Sequence, residues 1–195
     1  MAKQVWKPSA ILNPVPVVMV TCAGKDGKPN IITIAWAGTI NSRPPMASIS
    51  VRKERYSYNL IKETGQFVIN LTTEKLVFAA DYCGVKSGRD VDKFNAMKLT
   101  AEKASKVDVP LIGESPVNIE CVVKDSVDLG SHVMFMGEVV AVNIDEKLLD
   151  KNGRLCLEKA GLVCYLHGEY MSLDRSLGYF GFSVTKKKNL KRRKR

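Results

Sequence analysis

The stretch Val51-Arg52-Lys53-Glu54-Arg55-Tyr56-Ser57 places three cations within four residues, at the end of a β-branched run and the start of a helix-forming segment. A helix N-terminus presents free amides and a positive dipole end. Guanidinium forks and a hydroxyl beside it complete a donor set for a phosphate group. The same residue types also suit a charged surface turn, so both readings stand at this level. Ser87-Gly88-Arg89-Asp90-Val91-Asp92-Lys93-Phe94 is a second basic candidate. Its glycine permits close backbone approach, and Arg89 and Lys93 stand one helical turn apart. A capped surface helix would read the same way. Trp36, at the end of a strand, could line a ring-binding pocket or belong to the core. His132 opens a long strand beside Asp128 and Gly130, where it could donate to a ligand or simply end the strand.

Little else in the chain has catalytic spacing. His132 and His167 are the only histidines, and Cys22, Cys83, Cys121, Cys156 and Cys164 include no Cys-x-x-Cys. That inventory is poor material for a metal site and fits reduced thiols better than a disulfide framework. No Ser/His/Asp, Cys/His or paired-carboxylate set stands out, and neither glycine-rich nucleotide fingerprint occurs. A phosphate site without an acid–base set points to a cofactor that carries the chemistry itself.

The elements that must position these residues are mostly strands. Val17 to Thr21 and Ile31 to Trp36 flank an Asp26-Gly27 turn, the signature of a β-hairpin. Asn41 to Pro45 reads as a break, because prolines cannot donate to a ladder. A third strand follows at Met46 to Val51. Ser57 is a good N-cap for a helix ending at Gly65, and Gln66 to Thr72 alternates like a strand. Glu74 to Cys83 reads as a helix ending at Gly84, and Ser87 caps a short helix through Phe94. Val117 to Lys124 and His132 to Asn143 are long strands. In the latter, Val133, Phe135 and Asn143 share one face by simple alternation. Residues 154–166 suit either a helix start or a strand. Many strands, few helices and no βαβ rhythm predict a mainly β fold, an antiparallel barrel with helical insertions.

The 195 residues, 45% hydrophobic and 26% charged, suit one globular domain. The chain has no long uncharged apolar run, and its N-terminus lacks an apolar signal core. A cytoplasmic protein that does not enter the membrane is expected. The net charge of +10 is local. Eight cations crowd the stretch from Lys186 to Arg195, and without them 22 basic residues face 20 acidic ones. The expected division is a domain over 1–185 and a solvated basic tail over 186–195. Such a tail would hold nucleic acid or an acidic surface only non-specifically.

Together these segments resemble the flavin reductase-like, FMN-binding split-barrel proteins, most closely the flavoredoxin branch. The similarity runs from Asn13-Pro14-Val15-Pro16-Val17-Val18 through the block from Gly24 to Leu71. It continues with AADYCGVKSGRDVDKF, SPVNIECVV, GSHVMFMGEVVAV and HGEYMSLDRSLGYFGFS, in order over residues 10–183. The resemblance implies a six-stranded antiparallel split β-barrel that holds FMN near the interface of a homodimer. It implies electrons arriving from NADH, NADPH or a redox partner and leaving to a small-molecule or protein acceptor. Carried over by position, Thr33, Ala35 and Trp36 face the isoalloxazine edge. Ser50, Val51, Arg52, Lys53 and Ser57 hold the ribityl chain and phosphate, Lys93 closes the pocket, and Arg89 stays with it as the second basic candidate. His132, the catalytic candidate, sits where nicotinamide docks. The family often has Gly-Asp-His where this chain has Gly130-Ser131-His132, so a carboxylate beside the imidazole is missing. The implied function is an NAD(P)H:flavin oxidoreductase or an FMN electron carrier. The alternatives are an FMN-binding protein without turnover, and a nucleic-acid or acidic-surface module acting through the tail.

Overall fold

A computed structural model describes residues 1–185, and the basic run from Lys186 to Arg195 lies outside the described residues. A short strand β1 (Val15–Pro16) leads into β2 (Val18–Ala23) and β3 (Pro29–Ile34), the expected hairpin. Its turn places Gly27 at φ 77°, which a residue with a side chain adopts only under strain. Next come β4 (Ala37–Ser42), β5 (Pro45–Arg52), helix α1 (Tyr56–Thr64) and β6 (Gln66–Leu71). Helices α2 (Val77–Val85) and α3 (Lys93–Ala96) precede the small strands β7 (Ala101–Glu102) and β8 (Leu111–Ile112). The long strands β9 (Val117–Asp128) and β10 (His132–Ile144) follow, then β11 (Val163–Leu166) and β12 (Glu169–Ser172).

Seven strands pair in the order β3-β2-β6-β9-β10-β5-β4, antiparallel throughout, where six were expected. The extra strand comes from a bend. β3 and β4 follow each other with only Ala35 and Trp36 between them, yet they occupy opposite edges of the sheet. At the bend Ser50 N donates to Trp36 O at 2.9 Å. β3 touches β5, but no ladder joins them, and this gap is the split. Reading Asn41 to Pro45 as a break misses β4. Its residues after Ala37 are all exposed, so they carry no apolar alternation, and Pro45 opens β5 at a turn where a missing N–H is tolerated.

The barrel interior is filled by Val18, Val20, Ile32, Ile49, Phe67 and Phe135, among others. Gly137 is required there, since a Cβ would stand 2.7 Å from Phe67 Cζ. Met19 and Ile31 point outward and are covered by α2 and α3. β2 is therefore buried at every position, which explains its unbroken apolar sequence. A third cluster lays Val107, Val109 and Leu111 against Val68. Glu120 anchors that cover: fully buried, it accepts from the backbone N–H groups of Ser105, Lys106 and Val107 at 2.8, 2.7 and 3.1 Å. Asn143 Nδ2 donates to the same carboxylate at 2.7 Å, so Asn143 is outside, not on the Phe135 face. A register slip between Val139 and Ala141 reverses the alternation that simple periodicity assumes.

Residues 154–166 resolve into a short 3₁₀ turn (Leu157–Lys159) and β11. β1, β11 and β12 form a separate sheet. Among the described residues, no helix is long and apolar enough to cross a membrane.

Candidate functional site

The split creates the site. β3 is an edge strand, and β5 loses its β4 partner beyond Ile49, so both present backbone N–H and C=O groups that no ladder uses. A cavity of about 370 Å³ opens over this gap. Thr33, Ala35 and Trp36 line one wall, and Ser50, Val51 and Arg52 line another. His132 stands on the rim, and Tyr165 and Tyr170 reach in from the β11–β12 hairpin. A second cavity, about 180 Å³, adjoins it, and Ile32, Arg55 and Gly84 line both.

The smaller cavity is the cationic end, lined by Arg55, Lys86, Arg89 and Lys93 with Ser57, Gly88 and one carboxylate, Glu54. Lys93 is only 4% exposed, and its Nζ donates to the carbonyls of Ile31 and Cys83, both at 2.7 Å. Among the described residues no carboxylate pairs with it. Burial pulls its pKa below the usual lysine value. A buried ammonium held only by carbonyls lacks a counter-ion, and an anion in this cavity would supply one. Burial also pushes the neighbouring thiols of Cys22 and Cys83 up to about 11, so neither is a thiolate at neutral pH.

Ser57 is not the N-cap. α1 begins at Tyr56, and Ser57 lies buried in its first turn, where Oγ accepts from Asn30 Nδ2 at 2.8 Å. The hydroxyl thus belongs to the cavity wall. Likewise Ser87 does not start a helix. α3 begins at Lys93, with Asp92 Oδ1 accepting from Asn95 N at 3.1 Å, and residues 87–91 form a turn over the cavity. Gly88 allows that approach: a Cβ would fall 2.1 Å from Asn30 Oδ1. Arg89 spans the opening, donating to Glu54 O at 3.2 Å with its guanidinium 5.5 Å from the Tyr56 ring centre.

At the wider end, Trp36 is 46% exposed and no part of the core. Thr33 donates through Oγ to Ala80 O, which fixes the side chain against α2. His132 Nδ1 is hydrogen-bonded to Ser131 Oγ at 2.9 Å. Tyr165 and Tyr170 meet edge to face at 5.8 Å, and Tyr170 Oη donates to Asp81 Oδ1 at 3.0 Å. Burial, with the Asp81 bond, pushes the phenol up to about 12.

Of the residues singled out from the sequence, Thr33, Ala35, Trp36, Ser50, Val51, Arg52 and His132 gather at the larger cavity, and Ser57, Arg89 and Lys93 at the smaller. Lys53 lines neither; its ammonium pairs with Asp128 on the outer ridge. Arg55 was the missed cation: it belongs to the same basic run and is the one that lines both cavities. Its place two residues before Ser57, at the helix start, was the available signal. Asn30, Asp81, Tyr165 and Tyr170 come from remote segments and gave none.

The sequence matches the flavin reductase like domain over residues 12–173. The structure superposes on flavoredoxin of Desulfovibrio vulgaris (Miyazaki F) with a TM-score of 0.88 and 32% identity, covering 94% of this chain and 100% of that one. Flavoredoxin from Methanosarcina acetivorans gives 0.84 and 26%, with the same coverage of both chains. An FMN-binding protein from Thermus thermophilus, solved with bound 1-cyclohex-2-enone, shares the fold at a TM-score of 0.77 and 23% identity, over 92% of this chain and 97% of that one.

Proposed function

Because the chain belongs to the flavin reductase like domain family, whose members are flavin-binding redox proteins, we propose that it holds FMN along the split and moves electrons from a nicotinamide dinucleotide to an acceptor. The observation that carries this reading is Lys93: a buried ammonium without a carboxylate, at the closed end of a cation-lined cavity that opens into one of ring-binding size. Arg55, Arg89, Lys93 and Ser57 fit the phosphate of FMN as charge-assisted donors. The backbone groups of β3 and β5 that face the split outside any ladder, other than Ser50 N, Arg52 O and Ile31 O, which are already bonded, fit the polar edge of a flavin ring, where fixed donors favour the negative charge of the reduced form. Bound there, FMN would supply the hydride and electron chemistry that no protein side chain provides.

The protein's own part is positioning. Trp36, Tyr165 and Tyr170 wall the ring cavity and limit water. His132, held through Nδ1 by Ser131, offers Nε2 to the carboxamide of a donor and orients it without exchanging a proton. FMN and riboflavin titrations test the phosphate assignment, and equal affinities would remove it. Anaerobic mixing of the FMN-loaded protein with NADH and then NADPH tests the donor. Loss of the oxidised-flavin band is expected with at least one of them. A band that survives both would leave FMN binding standing and reject the nicotinamide donor.

A further inference from the structure

Arg52 stands apart from the phosphate-binding group. It lines only the larger cavity, whereas Arg55, Arg89 and Lys93 line the smaller. In the β5–β10 ladder it lies directly opposite His132, and opposed residues place their side chains on one face with Cβ atoms about 5 Å apart. A guanidinium and an imidazole therefore share the rim over the split. The only ion pair of Arg52 among the described residues is with Glu54, Nη1 to Oε1 at 3.1 Å, and those side chains are 53% and 63% exposed. An exposed pair of this kind contributes little and exchanges readily. An incoming group with two anionic oxygens can engage the fork in parallel, which one carboxylate held through one nitrogen does not.

This inference rests on the FMN reading above. The flavin phosphate has its own cations at the closed end, so a cation on the open rim is left for the second reactant. A nicotinamide whose carboxamide met His132 would have its ribose and diphosphate within reach of Arg52, the cross-strand neighbour lining the same cavity. We propose that Arg52 recognises the diphosphate of the nicotinamide donor, with Glu54 as its resident competitor.

The test uses FMN-loaded protein and two donors in anaerobic stopped flow: NADH, and 1-benzyl-1,4-dihydronicotinamide, which carries the same ring without a phosphate. In Arg52→Gln the half-saturating NADH concentration should rise about 10-fold, the loss of one charge-assisted contact. The defect should be confined to the dinucleotide. Glu54→Gln, which frees the guanidinium, should at matched flavin occupancy shift NADH saturation the other way, because Glu54 also lines the smaller cavity, and Arg52→Lys should recover only part of the loss. Equal defects with both donors, unchanged NADH saturation, or a weakened FMN complex in Arg52→Gln would each overturn the proposal. So would a parent protein reduced by the benzyl compound and not by the dinucleotide. A parent that retains no FMN fails earlier, before any donor is added, and takes the FMN reading with it.

Discussion

The phenol of Tyr170 donates to Asp81 Oδ1 at 3.0 Å, and this bond joins the β11–β12 hairpin to α2 across one side of the larger cavity. Apart from its pairing with β1 and the bond from Val163 N to Thr72 O at 3.2 Å at its base, the hairpin lies outside the main sheet. With FMN held as proposed, the bond would steady a wall that the ring passes on leaving. Tyr170→Phe should release FMN about 2–10-fold faster, the effect of one partly exposed hydrogen bond. The melting temperature of the flavin-free protein should barely move. Rapid mixing of the FMN complex with a flavin scavenger reads the rate, and an unchanged rate would free the hairpin of this role.

Lys93 gives a pH dependence with a definite sign. Burial lowers its pKa in the flavin-free protein, so the charged form is disfavoured there, and a phosphate beside it favours that form again. FMN affinity should therefore fall as pH rises through the lowered value, still below the 10.5 of an ordinary lysine. Riboflavin affinity should not follow that slope. Fluorescence titrations across the alkaline range distinguish the two ligands. In Lys93→Met the FMN slope should disappear and affinity should drop about 10-fold or more.

His132 is expected to act on the donor and not on the flavin. His132→Ala should slow reduction by nicotinamide about 10-fold or more while FMN affinity changes little. Ser131→Ala should give a smaller slowing of the same kind, because it removes the partner of Nδ1 at 2.9 Å and leaves the ring in place. Stopped-flow rates at matched flavin occupancy decide this. Parent rates in both variants would reduce His132 to a strand-end residue.

Glu120 is expected to contribute to acid sensitivity. Burial works against its charge, but the Asn143 amide and the Ser105, Lys106 and Val107 N–H groups hold its carboxyl below 4.5. A carboxylate lowered on folding contributes stability that is present above its unfolded pKa and lost as pH falls through the folded value. Glu120→Gln should cost about 2–3 kcal/mol at neutral pH, with the backbone donors left poorly matched. It should also flatten the decline in stability below pH about 4.5. Urea melts at several pH values measure both. Equal acid slopes in parent and variant would contradict the assignment.

Much of the barrel was legible in the chain. The β2–β3 hairpin, β5, β6, β9, β10 and α1 follow from Asp26-Gly27, from β-branched runs and from Gly65, because turns and caps are local chemistry. The two basic segments were legible too, as clusters of donor types. Local chemistry could not separate Arg52, Lys53 and Arg55. Their side chains leave neighbouring backbone positions in different directions, and the pairing of β5 with β10 sends Arg52 to the ring cavity while Lys53 turns to Asp128. Nor could it show that Ser57 faces Asn30, or that Asp81 meets Tyr170, contacts that span 27 and 89 residues of sequence. The bend at Ala35-Trp36 and the slip at Val139 are likewise decisions of the closed sheet. A strand's own alternation says which residues share a face, and only its neighbours decide where that alternation is broken.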